Sequence, residues 1–207
     1  MSVKVYVEGG GDSKADRIRC SEAFSKLIAK AGFRGRMPGV VACGGRGRAY
    51  DRFRTAMTTA KPDDFPMLLV DSEEPVAANR TAWQHLARRD GWQRPDGADD
   101  DQAQLMVTCM ETWIVAGLSG LTATFGQGLR VRGLPRLNLE RRAKDDIQER
   151  LVIATVNCAG PYVKGKRSFQ ALAAVDPTAL EDRLPHFKRF VKTLNQRLAP
   201  PSGRYST

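Results

Sequence analysis

Apolar stretches that alternate with helical patterns dominate the first half of the chain. Residues 3–7 are rich in β-branched side chains and predict a strand, and residues 65–70 form a continuous apolar run. Such a run is typical of a strand buried on both faces of a parallel sheet. A short apolar run at residues 40–43 predicts another strand. Strands separated by helices favour a parallel sheet with helices on both faces, so the sequence predicts an α/β fold.

Helices are predicted after each strand and through the second half of the chain. The pattern predicts helices at 14–31, ended by Gly32, and at 49–60 and 79–89, and a strand that runs into a helix at 104–116. Residues 118–136 are rich in glycine and proline and are not assigned. Further helices are predicted near 142–156, 168–174, 177–184 and 186–198, before a tail that begins at Pro200. We expect a core of residues 1–120 and a helical C-terminal extension, residues 121–207, packed on it within the same domain.

The charge of the chain is unevenly distributed. The net charge is +10, but residues 1–60 carry 12 Lys and Arg against 5 Asp and Glu, and residues 130–207 carry 16 against 7. Residues 61–129 reverse the balance, with 5 basic against 11 acidic side chains. Acids that hold a metal, within a basic surface that holds phosphates, would produce this pattern. An ordinary solvated surface would produce it as well, so charge alone does not decide.

The sequence gives no sign of export or of membrane insertion. No apolar run approaches the roughly 20 residues that span a bilayer. The first seven residues read as a strand and lack the apolar core of a signal peptide. We therefore expect a cytoplasmic protein that does not associate with a membrane.

The cysteines and histidines do not form a recognisable metal or catalytic motif. Both histidines, His85 and His186, lack a Ser or Cys partner at a familiar spacing, so we expect them on the surfaces of their helices. The cysteines form no C-x-x-C pair, which gives little support for structural zinc and favours buried, reduced thiols. They are Cys20, Cys43, Cys109 and Cys158.

Acidic residues follow two of the predicted strands. Glu8 ends the first strand and is followed by Gly9, Gly10 and Gly11, which would let a phosphate approach the backbone. The strand at 65–70 is followed by two acids two residues apart, Asp71 and Glu73. In parallel sheets the carboxyl ends of the strands meet at one edge, where functional groups collect. Three carboxylates there suit Mg²⁺ or Mn²⁺, although each acid alone is more often a loop or salt-bridge residue.

The segments VEGGGD and LLVDSE resemble the TOPRIM fold of topoisomerases, primases and the overcoming-lysogenization-defect nucleases. That resemblance implies that Glu8 is a metal ligand or acid/base, and that Asp71 and Glu73 are metal ligands. The chain departs from the pattern at Glu73, where most of the superfamily has Asp. Glu74 is the alternative ligand at this position.

Longer segments resemble a bacterial family of unknown function that is assigned to the TOPRIM-like proteins. They are VKVYVEGGGDSK, MLLVDSEEPV, LMVTCMETWIVAG and YVKGKRSFQALAAVDP. Members are commonly encoded beside an ABC/SMC-type ATPase, as in antiphage systems, which implies an ATPase partner. Within this pattern Glu111 is a further catalytic candidate, with a helix-capping or salt-bridged glutamate as the alternative.

Basic residues near these segments are candidate contacts to a phosphate backbone. For any one of them a solvated surface charge is the simpler interpretation. The resemblance favours Lys14, which follows the glycines at 9–11, and the three basic residues of YVKGKRSF. The candidates are Lys14, Arg46, Arg48, Lys164, Lys166 and Arg167.

These observations together predict a Mg²⁺- or Mn²⁺-dependent nuclease of TOPRIM type that hydrolyses phosphodiester bonds in DNA or RNA. One alternative is a non-catalytic module that binds nucleic acid or an ATPase. Another is a phosphoryl-transfer enzyme that acts on mononucleotides, although a small substrate needs no wide basic surface.

Overall fold

A four-stranded sheet, parallel throughout, forms the centre of the protein. The computed structural model describes residues 2–199, and the tail predicted from Pro200 lies outside this range. The strands are β1 (Ser2–Val7), β2 (Gly39–Ala42), β3 (Asp64–Asp71) and β4 (Ala103–Met106), in the order β2-β1-β3-β4. The prediction of an α/β fold with a parallel sheet is confirmed.

Nine α-helices surround the sheet in residues 2–199. None of them is both long and apolar enough to cross a bilayer. Their bounds are α1 (Lys14–Ile28), α2 (Arg46–Thr59), α3 (Ala82–Asp90), α4 (Met110–Ala116), α5 (Leu118–Phe125), α6 (Lys144–Thr155), α7 (Lys166–Ala174), α8 (Pro177–Arg183) and α9 (Pro185–Arg197).

Three helix ends differ from the sequence-based bounds by three residues each. Helix α2 begins at Arg46 instead of 49, because Gly45 already has the extended backbone of an N-cap. Helix α3 begins at Ala82 instead of 79, because Thr81 and Gln84 exchange hydrogen bonds as a capping box. Helix α1 gives way at Ile28 to one wider turn, in which Gly32 has a φ of 94°.

Apolar side chains cover both faces of the sheet. On one face Val5, Val7 and Leu69 belong to a core cluster that extends through the C-terminal helices, where Trp113 and Phe187 make an edge-to-face contact with ring centroids 4.8 Å apart. Leu68, Val70, Phe53, Trp83 and Leu86 pack on the other face. The C-terminal helices therefore share a core with the sheet, while the boundary at residue 120 stays a prediction.

The cysteines are buried and unpaired by disulfides, as expected. The prediction that His85 lies on the surface is wrong. Its ring is fully buried, and Nε2 lies 2.9 Å from the carbonyl oxygen of Ser72. The ring thereby ties helix α3 to the segment that follows β3. His186 is partly exposed, and its Nδ1 lies 2.7 Å from Glu140.

A pair of glycines joins the loops that leave β1 and β2. Gly9 and Gly44 exchange two backbone hydrogen bonds, both of 2.8 Å. Gly44 has a φ of 80°, and a Cβ at this position would lie 2.5 Å from the carbonyl oxygen of Gly11. Only glycine is compatible with both the backbone angle and this contact. This backbone contact holds the glycine loop, residues 9–11, against the carboxyl end of β2.

We expect Gly44→Ala to lower the free energy of unfolding by about 1–3 kcal/mol, because a side chain there is strained and clashes with backbone. Gly47→Ala is the matched control, because Gly47 lies in α2 with nothing within 4 Å of an added Cβ. The control should raise the free energy of unfolding by less than about 1 kcal/mol. Urea unfolding of both variants tests this, and equal stability of the two would contradict it.

Candidate metal centre

Three carboxylates converge at the carboxyl edge of the sheet. Glu8 directly follows β1, Asp71 is the last residue of β3, and Glu73 comes two residues later. Strands β1 and β3 are neighbours, and the backbone N–H of Glu8 donates to the carbonyl oxygen of Leu69 at 2.9 Å. One oxygen from each of the three carboxylates lies within 4.8 Å of the others. The three acids could together hold one metal ion.

Glu8 is held in place by two donors. Its Oε2 accepts from the backbone N–H of Asp71 at 3.1 Å and from Nη1 of Arg46 at 3.2 Å. Burial raises the pKa of Glu8, and the positive charge of Arg46 partly opposes that rise. The second carboxylate oxygen, Oε1, makes no hydrogen bond in the described structure, so it is available to a ligand.

Asp71 is the most buried acid of the cluster, at 7% exposure. Its Oδ1 accepts from the backbone N–H of Met110, the first residue of α4, at 2.9 Å. Burial raises the pKa of Asp71 to about 8, and the negative charges of Glu8 and Glu111 add to the rise. A cation at this position would therefore be strongly favoured.

Glu73 completes the cluster through an unusual backbone conformation. Its φ is 68°, in the left-handed region, where residues other than glycine store strain that is typical of functional sites. The backbone N–H donates to the carbonyl oxygen of Thr108 at 2.8 Å, and Oε1 accepts from Nζ of Lys144 at 2.7 Å. Glu74 is instead half exposed, 3.7 Å from Arg88, so Glu73 is the member of the cluster.

Three cations lie against the acids, and one of them, Arg89, lies 3.8 Å from Oε2 of Glu73. Lys144, the first residue of α6, contacts Glu73 and also lies 3.4 Å from Oδ2 of Asp71. Arg46 contacts Glu8 and the carbonyl oxygen of Asp71, and makes a two-pronged ion pair with Asp90 at 2.9 and 2.7 Å. We expected the guanidinium of Arg46 to contact a phosphate backbone, but in the structure it pairs with groups of the protein itself.

Glu111 lies close by but belongs to a different network. It is buried in α4, and its oxygens accept from the hydroxyl of Tyr162 at 2.5 Å and from Nε2 of Gln148 at 3.3 Å. Burial disfavours its ionisation, but the Tyr162 hydrogen bond, other hydrogen bonds and the charge of Lys164 together outweigh this and lower the pKa of Glu111. Glu111 is therefore a charged anchor between α4, α6 and the segment before α7.

A cavity of about 480 Å³ opens beside Glu8 and Asp71, whereas Glu73 is not among the residues that line it. The glycine loop and the loop after β2 form part of its wall, and Met110 and Phe169 supply apolar surface. Several residues singled out from the sequence line it: Glu8, Gly9, Gly10, Gly11, Asp71, Glu111 and Lys164. An anionic ligand in this cavity would contact the glycine backbone and Lys164, and would meet the carboxylates only through a cation.

The remaining basic candidates lie away from the cavity lining. Lys14, Arg48 and Lys166 are exposed, and Arg48 pairs with Asp12 at 2.6 Å. Arg167 is half buried, with its guanidinium packed over Gly160. Of the predicted phosphate contacts, Lys164 is the one that lies at the cavity.

Sequence reasoning missed two groups that shape this site. Tyr162, whose hydroxyl donates to Glu111, lies in the segment YVKGKRSF. The resemblance draws attention to this segment but assigns no role to Tyr162. Lys144 carries no motif signal, and it reaches Glu73 across 71 residues of chain. Only the packing of α6 beside the sheet edge reveals it.

The family described as "Domain of unknown function (DUF4276)" matches residues 7–195, and the chain belongs to this family. The matched range contains all three clustered carboxylates and the residues that line the cavity. No curated protein and no solved structure gives a significant match. The relation to TOPRIM proteins and the ATPase neighbour stay predictions.

The Glu111 anchor predicts a stability effect that depends on pH. Because the pKa of Glu111 is lowered, its ionisation stabilises the fold above its ordinary value of 4.5, and this is lost as the pH falls through the lowered native value. Tyr162→Phe should therefore lower the free energy of unfolding by about 1.5–3 kcal/mol at pH 7. The difference from wild type should shrink below pH 4.5.

Tyr50→Phe is the matched control, because the Tyr50 hydroxyl donates to a neutral acceptor, the carbonyl oxygen of Gln93, at 2.6 Å. Its loss should cost about 0.5–1.5 kcal/mol, with no decrease below pH 4.5. Urea unfolding between pH 3 and pH 7 measures both, and a Tyr162→Phe effect that is constant with pH would contradict the anchor.

Proposed function

We propose that this protein is a divalent-metal-dependent hydrolase of phosphodiester bonds in nucleic acid. The observation that carries the proposal is the cluster of Glu8, Asp71 and Glu73, whose oxygens lie within 4.8 Å of one another at the carboxyl ends of adjacent parallel strands. Sites of α/β proteins form at this edge of the sheet. Glu8 and Asp71 also line a cavity of about 480 Å³, which we propose receives a nucleotide unit.

The donor set fits Mg²⁺ or Mn²⁺. Both ions prefer carboxylate oxygens, and oxygens on opposite sides of one Mg²⁺ lie about 4.2 Å apart, so the observed spacing needs little contraction. The raised pKa of Asp71 reflects crowded negative charge in a buried place, which a cation would relieve. A bound divalent ion would supply charge stabilisation at the phosphate and lower the pKa of water.

Groups around the acids fix their orientation before any ligand arrives. Backbone N–H groups hold Glu8 from β3 and Asp71 from α4, and Thr108 holds the backbone of Glu73. Ligands that are oriented in this way by a second layer of hydrogen bonds lose little entropy on binding. The arrangement therefore suits a preformed cation site.

The surroundings of the acids suit a phosphate ester. Gly9, Gly10 and Gly11 line the cavity, open space surrounds the Cβ position of Gly11, and Lys164 adds positive charge there. Lys14 and Lys166 are exposed in the basic flanks of the sequence. A wide basic surface favours a polymer over a mononucleotide.

One observation favours a second candidate, a non-catalytic module that binds nucleic acid or an ATPase. Lys144 and Arg46 already neutralise part of the acid cluster with protein groups, so the carboxylates have partners without a metal. In that case the acids are structural, and the basic flanks carry the function. The expected ABC/SMC-type ATPase partner rests on the sequence resemblance.

Cleavage of labelled single-stranded DNA, duplex DNA and RNA with Mg²⁺ or Mn²⁺ tests the proposal. Glu8→Gln, Asp71→Asn and Glu73→Gln should each lower the rate at least about 100-fold, which corresponds to about 2.7 kcal/mol of transition-state stabilisation. Glu74→Gln should retain nearly the wild-type rate, because Glu74 lies outside the cluster. Each variant keeps the size of the side chain it replaces.

Retention of nucleic acid by the wild-type protein, without cleavage in any metal, would overturn the hydrolase proposal in favour of the binding module. Equal loss of cleavage in Glu73→Gln and Glu74→Gln would contradict the assignment of Glu73.

A further inference from the structure

We propose that Lys144 is a tethered cation that occupies the acid cluster in the metal-free protein and withdraws when a divalent ion binds. The inference rests on the proposed metal site and adds its regulation. The ammonium lies 2.7 Å from Oε1 of Glu73 and 3.4 Å from Oδ2 of Asp71, so it bridges two of the three candidate ligands. An incoming ion would draw on the carboxylates of the same two residues.

The charge of the cluster favours either Lys144 or a divalent ion at the acids over both together. With every carboxylate ionised, the linked ion pairs contain four carboxylates and three cations, which leaves a formal charge of −1. Removing Lys144 makes it −2, which one divalent ion neutralises, whereas an ion beside a retained Lys144 would leave an excess of positive charge in a poorly solvated place. The groups are Glu8, Asp71, Glu73 and Asp90 with Arg46, Arg89 and Lys144.

Lys144 is the cation that is able to leave. Arg46 is fixed by the two-pronged pair with Asp90 and lies over the ring of Trp92, 4.9 Å from its centroid. In the described structure the ammonium of Lys144 has hydrogen bonds only to Asp71 and Glu73. Its side chain is 17% exposed, so its flexible stem already has contact with solvent.

The consequence is a site whose metal affinity is set by competition. The acids without Lys144 would bind a divalent ion more tightly than the wild-type cluster, because binding would no longer require displacement of a resident charge. Lys144 would thus tune the metal concentration at which the site fills.

Calorimetric titration of the whole protein with Mn²⁺ measures this competition without relying on activity. Lys144→Gln should bind Mn²⁺ at least about tenfold more tightly than wild type, since a like charge a few ångströms away is removed. Lys144→Arg keeps the charge and should bind no more tightly than wild type. Lys192→Gln removes an exposed charge on α9 and serves as the matched control, with unchanged affinity.

A second measurement uses wild-type protein and so does not depend on the folding of a variant. A brief pulse of acetic anhydride, followed by peptide mass spectrometry, reports how accessible each lysine amine is. Saturation with Mn²⁺ should increase labelling of Lys144 several-fold and leave Lys192 unchanged. Labelling of Lys144 that does not change on Mn²⁺ binding would overturn the inference.

Equal or weaker Mn²⁺ binding by Lys144→Gln would overturn it too, because Lys144 would then support the ligands instead of competing with the ion. Either result, alongside metal-dependent cleavage by wild type, would leave the proposed hydrolase intact. Absence of Mn²⁺ binding in wild type and in all variants would overturn both.

Discussion

The burial of Asp71 at the end of β3 is the constraint on which the rest of the site depends. Its backbone N–H holds Glu8 beside β1, and its carboxylate accepts from Met110 at the start of α4. One residue thereby joins two strands and a helix at the carboxyl edge of the sheet. The cost is a carboxylate in a poorly solvated place near two others, which raises the pKa of Asp71 to about 8.

The protein offsets this cost with cations drawn from distant parts of the chain. Arg46 comes from the start of α2 and is fixed by Asp90 at the end of α3, whereas Lys144 comes from the start of α6. The C-terminal helices therefore complete the site as well as the core. The network of Glu111 and Tyr162 strengthens the same junction, since it ties α4 to the segment before α7.

The sequence was sufficient for the parallel sheet and for the meeting of the acids, because strand ends in such a sheet share one edge. A continuous apolar run marked β3, and Glu8 and Asp71 each follow a strand. The sequence was not sufficient to predict that Lys144 contacts the acids or that His85 is buried. The packing of the helices decides which groups these two side chains contact. The spacing of apolar residues along a helix does not specify which polar side chain faces inward. Glu73 and Glu74 are adjacent residues of the same type, and no pattern in this segment indicates the positive φ of Glu73.

The central claim is that Glu8, Asp71 and Glu73 jointly hold one divalent ion. Crystals of the protein soaked in Mn²⁺, and recorded near the manganese absorption edge, locate the ion directly. The account predicts an anomalous peak bound by oxygens of these three residues, with Lys144 withdrawn, and no such peak in Asp71→Asn. A crystal saturated with Mn²⁺ that shows no peak there, with Lys144 still bridging Asp71 and Glu73, would contradict it.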